Sequence, residues 1–359
     1  HGEDKVFDFS LGNPDAAPPE KFFNVLKELV DAGGKGVHGY MANSGYPEVR
    51  DAISTKISRE HGVVLSGDSV VMTCGASGAL NIILKTFLDP GDEVIVSRPY
   101  FVEYGSYIAN HGGKIILVDS LPDFTPDLDA IEKVIGSRTK IILINSPNNP
   151  TGRVYPESVI RELGSMADRK GIYLVADEPY REIAYNGITV PPVMKFCARS
   201  IIATSYSKSL SIPGERIGYA AVNPACPEHA EVMSGLNLSN RILGFVNAPA
   251  LMQRVVAHLT DVSVDVESYR ERRDVLGKGL SDAGYEYINP EGAFYIFCKA
   301  PGGDDIEYVR HLQKYNILVV PGSGFGGPGY FRIAYCVSHN TIAGSLGLFK
   351  KAREEFGGN

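Results

Sequence analysis

The sequence predicts an α/β fold: a doubly wound, mostly parallel sheet in a large domain, with a smaller α+β domain beside it. Three observations point there. Short apolar segments recur through the middle of the chain at 70–73, 93–97, 114–118, 140–145, 172–176 and 201–204. Several are apolar almost throughout, Ile141-Ile142-Leu143-Ile144 most of all, as expected of parallel strands with both faces covered. The intervals between them carry helical patterns, and β alternating with α through short loops is the signature of a doubly wound sheet.

Taken in order, strand 70–73 runs into Gly75-Ala76-Ser77-Gly78, and a helix is expected over 80–87. After strand 140–145, Val159, Leu163 and Met166 recur at helical spacing behind Pro156, a good first-turn residue, which predicts an amphipathic crossover helix. The last hundred or so residues read differently: a charged helix over 268–283 leads to short strands at 294–298, 317–320 and 330–334. No internal repeat or low-complexity linker separates the two regions, so they are expected to pack closely. A sheet of this kind binds ligands beyond the carboxyl ends of its strands.

Composition narrows the function. The chain of 359 residues carries 35 basic and 42 acidic side chains, net −7, which argues against nucleic acid or an anionic membrane as partner. No apolar run approaches the roughly 18 residues of a membrane span. The five cysteines are odd in number and far apart with no C-x-x-C, so free buried thiols in a reducing cytoplasm are expected. The eight histidines are scattered without an H-E-x-x-H, and no metal site is expected. With 39 glycines and 22 prolines, about 17% of the chain against a usual figure of about 12%, tight turns or close backbone approaches are in demand. Tryptophan is absent.

Two motif matches fail on context. Gly322-Ser-Gly324-Phe-Gly-Gly327 fits G-x-G-x-x-G, but Pro321 precedes it and a strand follows, so a glycine-rich turn is expected. Ser205-Tyr-Ser-Lys208 fits S-x-x-K, but K-T-G and S-D-N occur nowhere in the chain. What remains is a lysine just after an apolar strand, followed by Pro213, Gly214 and Arg216. Asp177 follows strand 172–176, where an unpaired carboxylate is costly. The segment 75–78, between a strand and a helix, is a candidate anion site.

The stretch Ser205-Tyr-Ser-Lys208-Ser-Leu-Ser-Ile-Pro-Gly-Glu-Arg216-Ile-Gly resembles the lysine motif of class I/II, fold-type I pyridoxal-phosphate aminotransferases of the aspartate aminotransferase-like kind. Other segments follow in the family's order: Ser10-Leu-Gly12-Asn-Pro, Tyr40, Gly75-Ala-Ser77-Gly, Asn145-Ser-Pro-Asn-Asn149-Pro-Thr-Gly152, Asp177-Glu-Pro-Tyr180 and Tyr330-Phe-Arg332-Ile-Ala. The match spans nearly the whole chain. It implies a large pyridoxal 5'-phosphate domain over 40–260 and a discontinuous small domain from 1–39 and 261–359.

By this resemblance Lys208 condenses with the cofactor aldehyde and later moves the substrate's α-proton, a task that needs an amine of lowered pKa. Asp177 pairs with the pyridine nitrogen, while Tyr180 and Asn149 approach the ring oxygen. Gly75, Ala76, Ser77, Ser205 and Arg216 hold the phosphate, and Phe101 stacks on the ring where many relatives use tryptophan. Arg332 holds the substrate α-carboxylate, with Asn149 and Gly12 lining the substrate. Tyr40 reaches the phosphate of a neighbouring subunit, which implies a homodimer.

The implied activity is ping-pong transfer of the amino group of an L-amino acid (aspartate, alanine or similar) to a 2-oxo acid, 2-oxoglutarate first among them. A β-lyase acting on C–S bonds shares the same residues. A non-catalytic effector-binding module is the alternative of another class. Arg241 stands one residue out of register with an arginine that meets a distal carboxylate in relatives.

Overall fold

The computed structural model describes residues 6–34 and 36–356. Seven strands form the main sheet: β2 (Val70–Thr73), β3 (Glu93–Arg98), β4 (Lys114–Asp119), β5 (Thr139–Asn145), β6 (Tyr173–Asp177), β7 (Ser200–Ser205) and β8 (Gly218–Val222). Their order is β2-β8-β7-β6-β5-β3-β4. All neighbours run parallel except β8, which is antiparallel to both β2 and β7. The other strands are β1 (Phe7–Asp8), β9 (Tyr295–Lys299), β10 (Ile317–Leu318), β11 (Val320–Pro321) and β12 (Tyr330–Ala334). They make a three-stranded sheet, β11-β12-β9, and a β1-β10 pair.

All six expected strands of the main sheet are present, and their apolar character has a direct cause. Side chains alternate between two covered faces. Val94, Ile141, Leu143 and Val175 pack with Leu80, Ile83 and Leu84 of the Gly75–Phe87 helix. Ile95, Ile142 and Leu174 pack on the opposite face with Leu163 and Met166 of the Glu157–Lys170 helix. Pro156 is the cap just outside that helix, one position earlier than its expected place in the first turn.

Three local expectations are corrected. β8 is an additional strand; Gly218-Tyr-Ala-Ala-Val222 carries little β-branched character, and its place is secured by pairing on both edges. The expected strand 317–320 is two short pieces, because Ile317 pairs with Phe7 whereas Val320 pairs with Arg332. The helix expected over 80–87 begins at Gly75, since the glycine and serine there form its first turn instead of a loop. The Gly322–Phe325 segment is a 3₁₀ turn, as its context required.

The small sheet has its own core, where Phe294, Ile296, Phe331 and Ile333 meet Leu276, Leu280 and Phe349. Tyr180, Ile183 and Tyr185, which follow β6, enter this same core and tie it to the main sheet. The N-terminal segment is shared: Phe9 joins the small core, while Phe22 and Val25 of the Glu20–Ala32 helix pack with Ile53 and Met252 against the large sheet.

The junction of β7, β8 and the Gly75–Phe87 helix leaves no room for a side chain at Gly218. A Cβ there would press on the Thr204 carbonyl and lie 2.9 Å from the Cα of Gly75. Gly218→Ala is therefore expected to lower stability by about 1–3 kcal/mol, measurable by urea denaturation followed by circular dichroism.

Candidate active site

A cavity of about 440 Å³ lies at the carboxyl ends of β5, β6 and β7. Tyr295, Val320, Phe325 and Arg332 of the small sheet region close one side, and the Ser10–Gly12 strap crosses it. The registers of β5, β6 and β7 set Asn145, Asp177 and Ala203 side by side at the sheet's edge.

Asp177 is the last residue of β6 and is buried. Tyr104 donates its hydroxyl to Oδ2 at 2.5 Å, and the Asn145 amide donates to the Asp177 carbonyl at 2.8 Å. Oδ1 is shielded from solvent and has no hydrogen-bond partner among the described residues. Burial pushes the Asp177 carboxyl up to about 7; the Tyr104 bond opposes the shift and the neighbouring Glu178 charge adds to it.

Lys208 sits in the helical turn Tyr206–Ser209 directly after β7. Its Nζ donates to the Gly12 carbonyl at 2.5 Å. Burial pulls the amine down to about 8, and the charges of Arg332 and Arg216 act in the same direction.

On one flank, Ala76 and Ser77 in the first turn of the Gly75–Phe87 helix face the cavity. Gly75 has φ +76°, and a Cβ on it would lie 3.1 Å from Nη2 of Arg216, so the guanidinium rides against bare backbone. Arg216 itself has φ +51° and donates from Nη1 to the Pro213 carbonyl at 2.9 Å. Tyr107 donates to Ser77 Oγ at 3.1 Å, and Ser205 lines the floor. Phe101 borders the cavity and meets Tyr104 edge to face at 5.4 Å.

On the other flank, Arg332 of β12 is buried between two rings, its guanidinium carbon 4.6 Å from the centroids of both Tyr295 and Phe325. It donates from Nη1 to Asn149 Oδ1 at 2.9 Å and from Nη2 to the Ser10 carbonyl at 2.6 Å. Cys336 Sγ lies 3.7 Å from the Leu11 carbonyl, so three successive carbonyls of the strap meet Arg332, Cys336 and Lys208 in turn. The hydroxyls of Tyr180 and Tyr295 are hydrogen-bonded at 2.8 Å. A Cβ on Gly12 would come within 2.9 Å of Tyr295 Cζ, so the strap passes here only as glycine.

Of the residues singled out in the sequence, Gly12, Ala76, Ser77, Phe101, Asn149, Asp177, Tyr180, Ser205, Lys208, Arg216 and Arg332 converge on this cavity. Gly75 lies just behind it, against Arg216. Tyr40 does not join them in this chain; it is 92% exposed. Arg241 is exposed in the last turn of the His229–Ile242 helix, outside the lining. Sequence reasoning overlooked Tyr104, Tyr295 and Glu103. Tyr104 carried a signal, standing three residues after Phe101 on what is nearly one helical face.

A doubly wound sheet that gathers a low-pKa lysine, a buried carboxylate and a helix N-terminus beside an arginine defines the fold-type I class of pyridoxal-phosphate enzymes. The family model described as "Aminotransferase class I and II" matches residues 4–344, and this chain belongs to that family; it is a pyridoxal-phosphate-dependent aminotransferase. It is 35% identical to a probable aspartate/prephenate aminotransferase of Thermus aquaticus, over 96% of this chain and 90% of the relative. It is 33% identical to a probable aspartate aminotransferase of Methanocaldococcus jannaschii, over 96% and 92%. Among solved structures, an amino transferase of Eubacterium rectale superposes with a TM-score of 0.96 at 38% identity, covering 99% of this chain and 92% of that one. The aspartate aminotransferase of Thermus thermophilus with maleate gives 0.89 at 30% identity, covering 97% and 92%.

The shifted Asp177 carboxyl predicts a pH dependence. Its pKa of about 7 in the fold exceeds the ordinary 3.8, so between these values the folded state holds a proton that the unfolded state lacks. That contribution to stability is fully present below the unfolded value and is lost as pH rises through the folded one. Cofactor-free protein is expected to lose on the order of a few kcal/mol along this limb relative to Asp177→Asn, as urea denaturation across the range will measure.

Proposed function

We propose that this cleft transfers the amino group of an L-amino acid to a 2-oxo acid in two half-reactions, with the roles below. The observation that carries the reading is the pairing of an unpartnered, buried Asp177 Oδ1 with a lysine amine whose pKa is drawn down to about 8, both at the carboxyl edge of one sheet. Pyridoxal phosphate, when bound, supplies an aldehyde that condenses with amines and a cationic ring that accepts the electron pair left by the α-proton.

The residues fit that group. Oδ1 of Asp177 is the acceptor that a protonated ring nitrogen requires, and its burial makes an unpaired state costly. Ser77, Ser205 and Arg216, with the amides at the start of the Gly75–Phe87 helix, make an anion cradle for the phosphate. Asn149 spends Oδ1 on Arg332 and keeps its amide N–H groups for the ring oxygen; Tyr180 serves the same oxygen. Phe101 stacks on the ring face.

Lys208 attaches the cofactor. With the cofactor bound, the Lys208 amine would hold its aldehyde and, when free, would take up and give back the substrate's α-proton, and a pKa of about 8 suits proton transfer in both directions. Arg332, fixed by two rings and Asn149, presents its fork to the α-carboxylate, and the Ser10–Gly12 strap shields the reacting carbon from water.

The protein works as a homodimer in the cytoplasm on this reading. Tyr40 is exposed together with Leu238 and Ile242, one turn apart on the His229–Ile242 helix, and a second copy would cover them while Tyr40 reaches the partner's phosphate cradle. No helix among the described residues is long and apolar enough to cross a membrane, and all five cysteines are free, four of them buried. The relatives' names make aspartate the first donor to test.

The test is spectroscopic. An amino acid alone should shift the absorption of the bound cofactor, and 2-oxoglutarate or pyruvate should reverse it; release of pyruvate and ammonia from cystathionine without any oxo acid would instead identify a β-lyase. Lys208→Ala is expected to lower kcat by roughly 100- to 10,000-fold. Arg332→Ala is expected to lower kcat/KM by roughly 100-fold or more, since it removes a buried, hydrogen-bonded charge.

A further inference from the structure

The Glu103–Asn110 helix carries a second tyrosine beside the cleft. Tyr107 stands one turn after Tyr104, and its hydroxyl donates to Ser77 Oγ at 3.1 Å. Ser77 lines the cavity and Tyr107 does not, so the tyrosine reaches the cavity only through that serine. Burial raises the Tyr107 phenol, with the Ser77 bond and the Arg216 charge opposing and the Glu103 and Asp177 charges adding to the shift, so at neutral pH the phenol keeps the proton it donates.

A serine hydroxyl has one proton to give and two lone pairs with which to accept. Tyr107 occupies one lone pair, which restricts the torsion of the hydroxyl and leaves the Ser77 proton for an acceptor on the cavity side. The main chain of the same turn is tied to the end of the same helix. Asn81 donates from Nδ2 to the Ser77 carbonyl at 2.8 Å, and its Oδ1 lies 3.1 Å from Nε2 of His111, the residue that caps the Glu103–Asn110 helix. An amide oxygen can only accept, so His111 is the donor in that contact. Both the hydroxyl and the carbonyl of Ser77 are thus held from one short helix, whose Tyr104 also holds Asp177.

We propose that Tyr107 is a positioning residue for the cofactor phosphate, holding the Ser77 hydroxyl so that the serine proton faces the anion. The proposal rests on the reading of Ser77, Ser205 and Arg216 as the phosphate cradle and adds a residue that does not itself touch the ligand. With Tyr104 on Asp177, the Glu103–Asn110 helix then sets the ring end and the phosphate end of the cofactor from a single element.

The experiment measures dissociation constants of the cofactor-free protein for pyridoxal phosphate and for pyridoxal, which has a hydroxyl in place of the phosphate, by titrations followed through cofactor absorption. Tyr107→Phe is expected to weaken pyridoxal phosphate roughly three- to tenfold, the size of one neutral hydrogen bond, and pyridoxal by less than about twofold. Ser77→Ala is expected to weaken pyridoxal phosphate by roughly ten- to hundredfold, because its bond runs to a charged group. Since Tyr107 acts through Ser77, adding Tyr107→Phe to Ser77→Ala should cost less than about twofold more. Equal weakening of both ligands by Tyr107→Phe assigns the tyrosine to helix packing alone and overturns the proposal. An unchanged affinity of Tyr107→Phe for pyridoxal phosphate also overturns it, as do losses that multiply in the double variant, the pattern of a tyrosine acting independently of Ser77. If wild type binds pyridoxal as tightly as pyridoxal phosphate, the cradle reading itself fails and the proposal with it, an outcome read without any variant.

Discussion

The burial of the Asp177 carboxylate constrains more of this structure than any other single contact. A carboxylate at the end of an apolar strand is tolerable only if its oxygens find partners, and the protein supplies one of the two through Tyr104. That hydrogen bond requires the Glu103–Asn110 helix to pack against the sheet, which in turn fixes Phe101 at the cavity wall. Asn145 then ties β5 to the main chain of Asp177, so the register of the central strands and the placement of the carboxylate depend on each other.

The small sheet region completes what the large sheet leaves open. Arg332 is a buried cation with its own requirements, met by two aromatic faces, the Asn149 side chain and a main-chain carbonyl. These partners come from four separate stretches of chain. The core that holds β12 also takes in Tyr180 and Tyr185 from beyond β6, so the arginine and the Asp177 carboxylate are positioned by one shared packing arrangement. The two charged groups are thereby kept at opposite sides of a single cleft.

Much of this was legible in the residues. The six apolar strands were readable because burial on both faces leaves an uninterrupted apolar run. β8 was not, because Gly218, Ala220 and Ala221 carry no such signal and hold their places through edge pairing. The residues that line the cleft were legible where a motif sets one residue type at one point, as with Lys208, Asp177 and Arg332. Tyr104 and Tyr295 were not, because their significance comes only from what the fold sets opposite them. A tyrosine at the start of β9 reads as core, and it becomes a wall of the cleft only because Arg332 stacks on it. Tyr40 is the converse case, a residue that its motif singles out and that a single chain leaves facing solvent.

The Ser10–Gly12 strap has a kinetic consequence. Its carbonyls already occupy donors on Arg332 and Lys208, the same donors that the proposed reaction assigns to substrate and cofactor. Ligand capture at this cleft is therefore a swap of acceptors, in which each hydrogen bond gained replaces one given up by the main chain. A swap is as easily reversed as made. When an oxo acid departs, the strap reclaims the guanidinium without either cation passing through an unpaired state, and a tight grip on the carboxylate need not become a slow release of product.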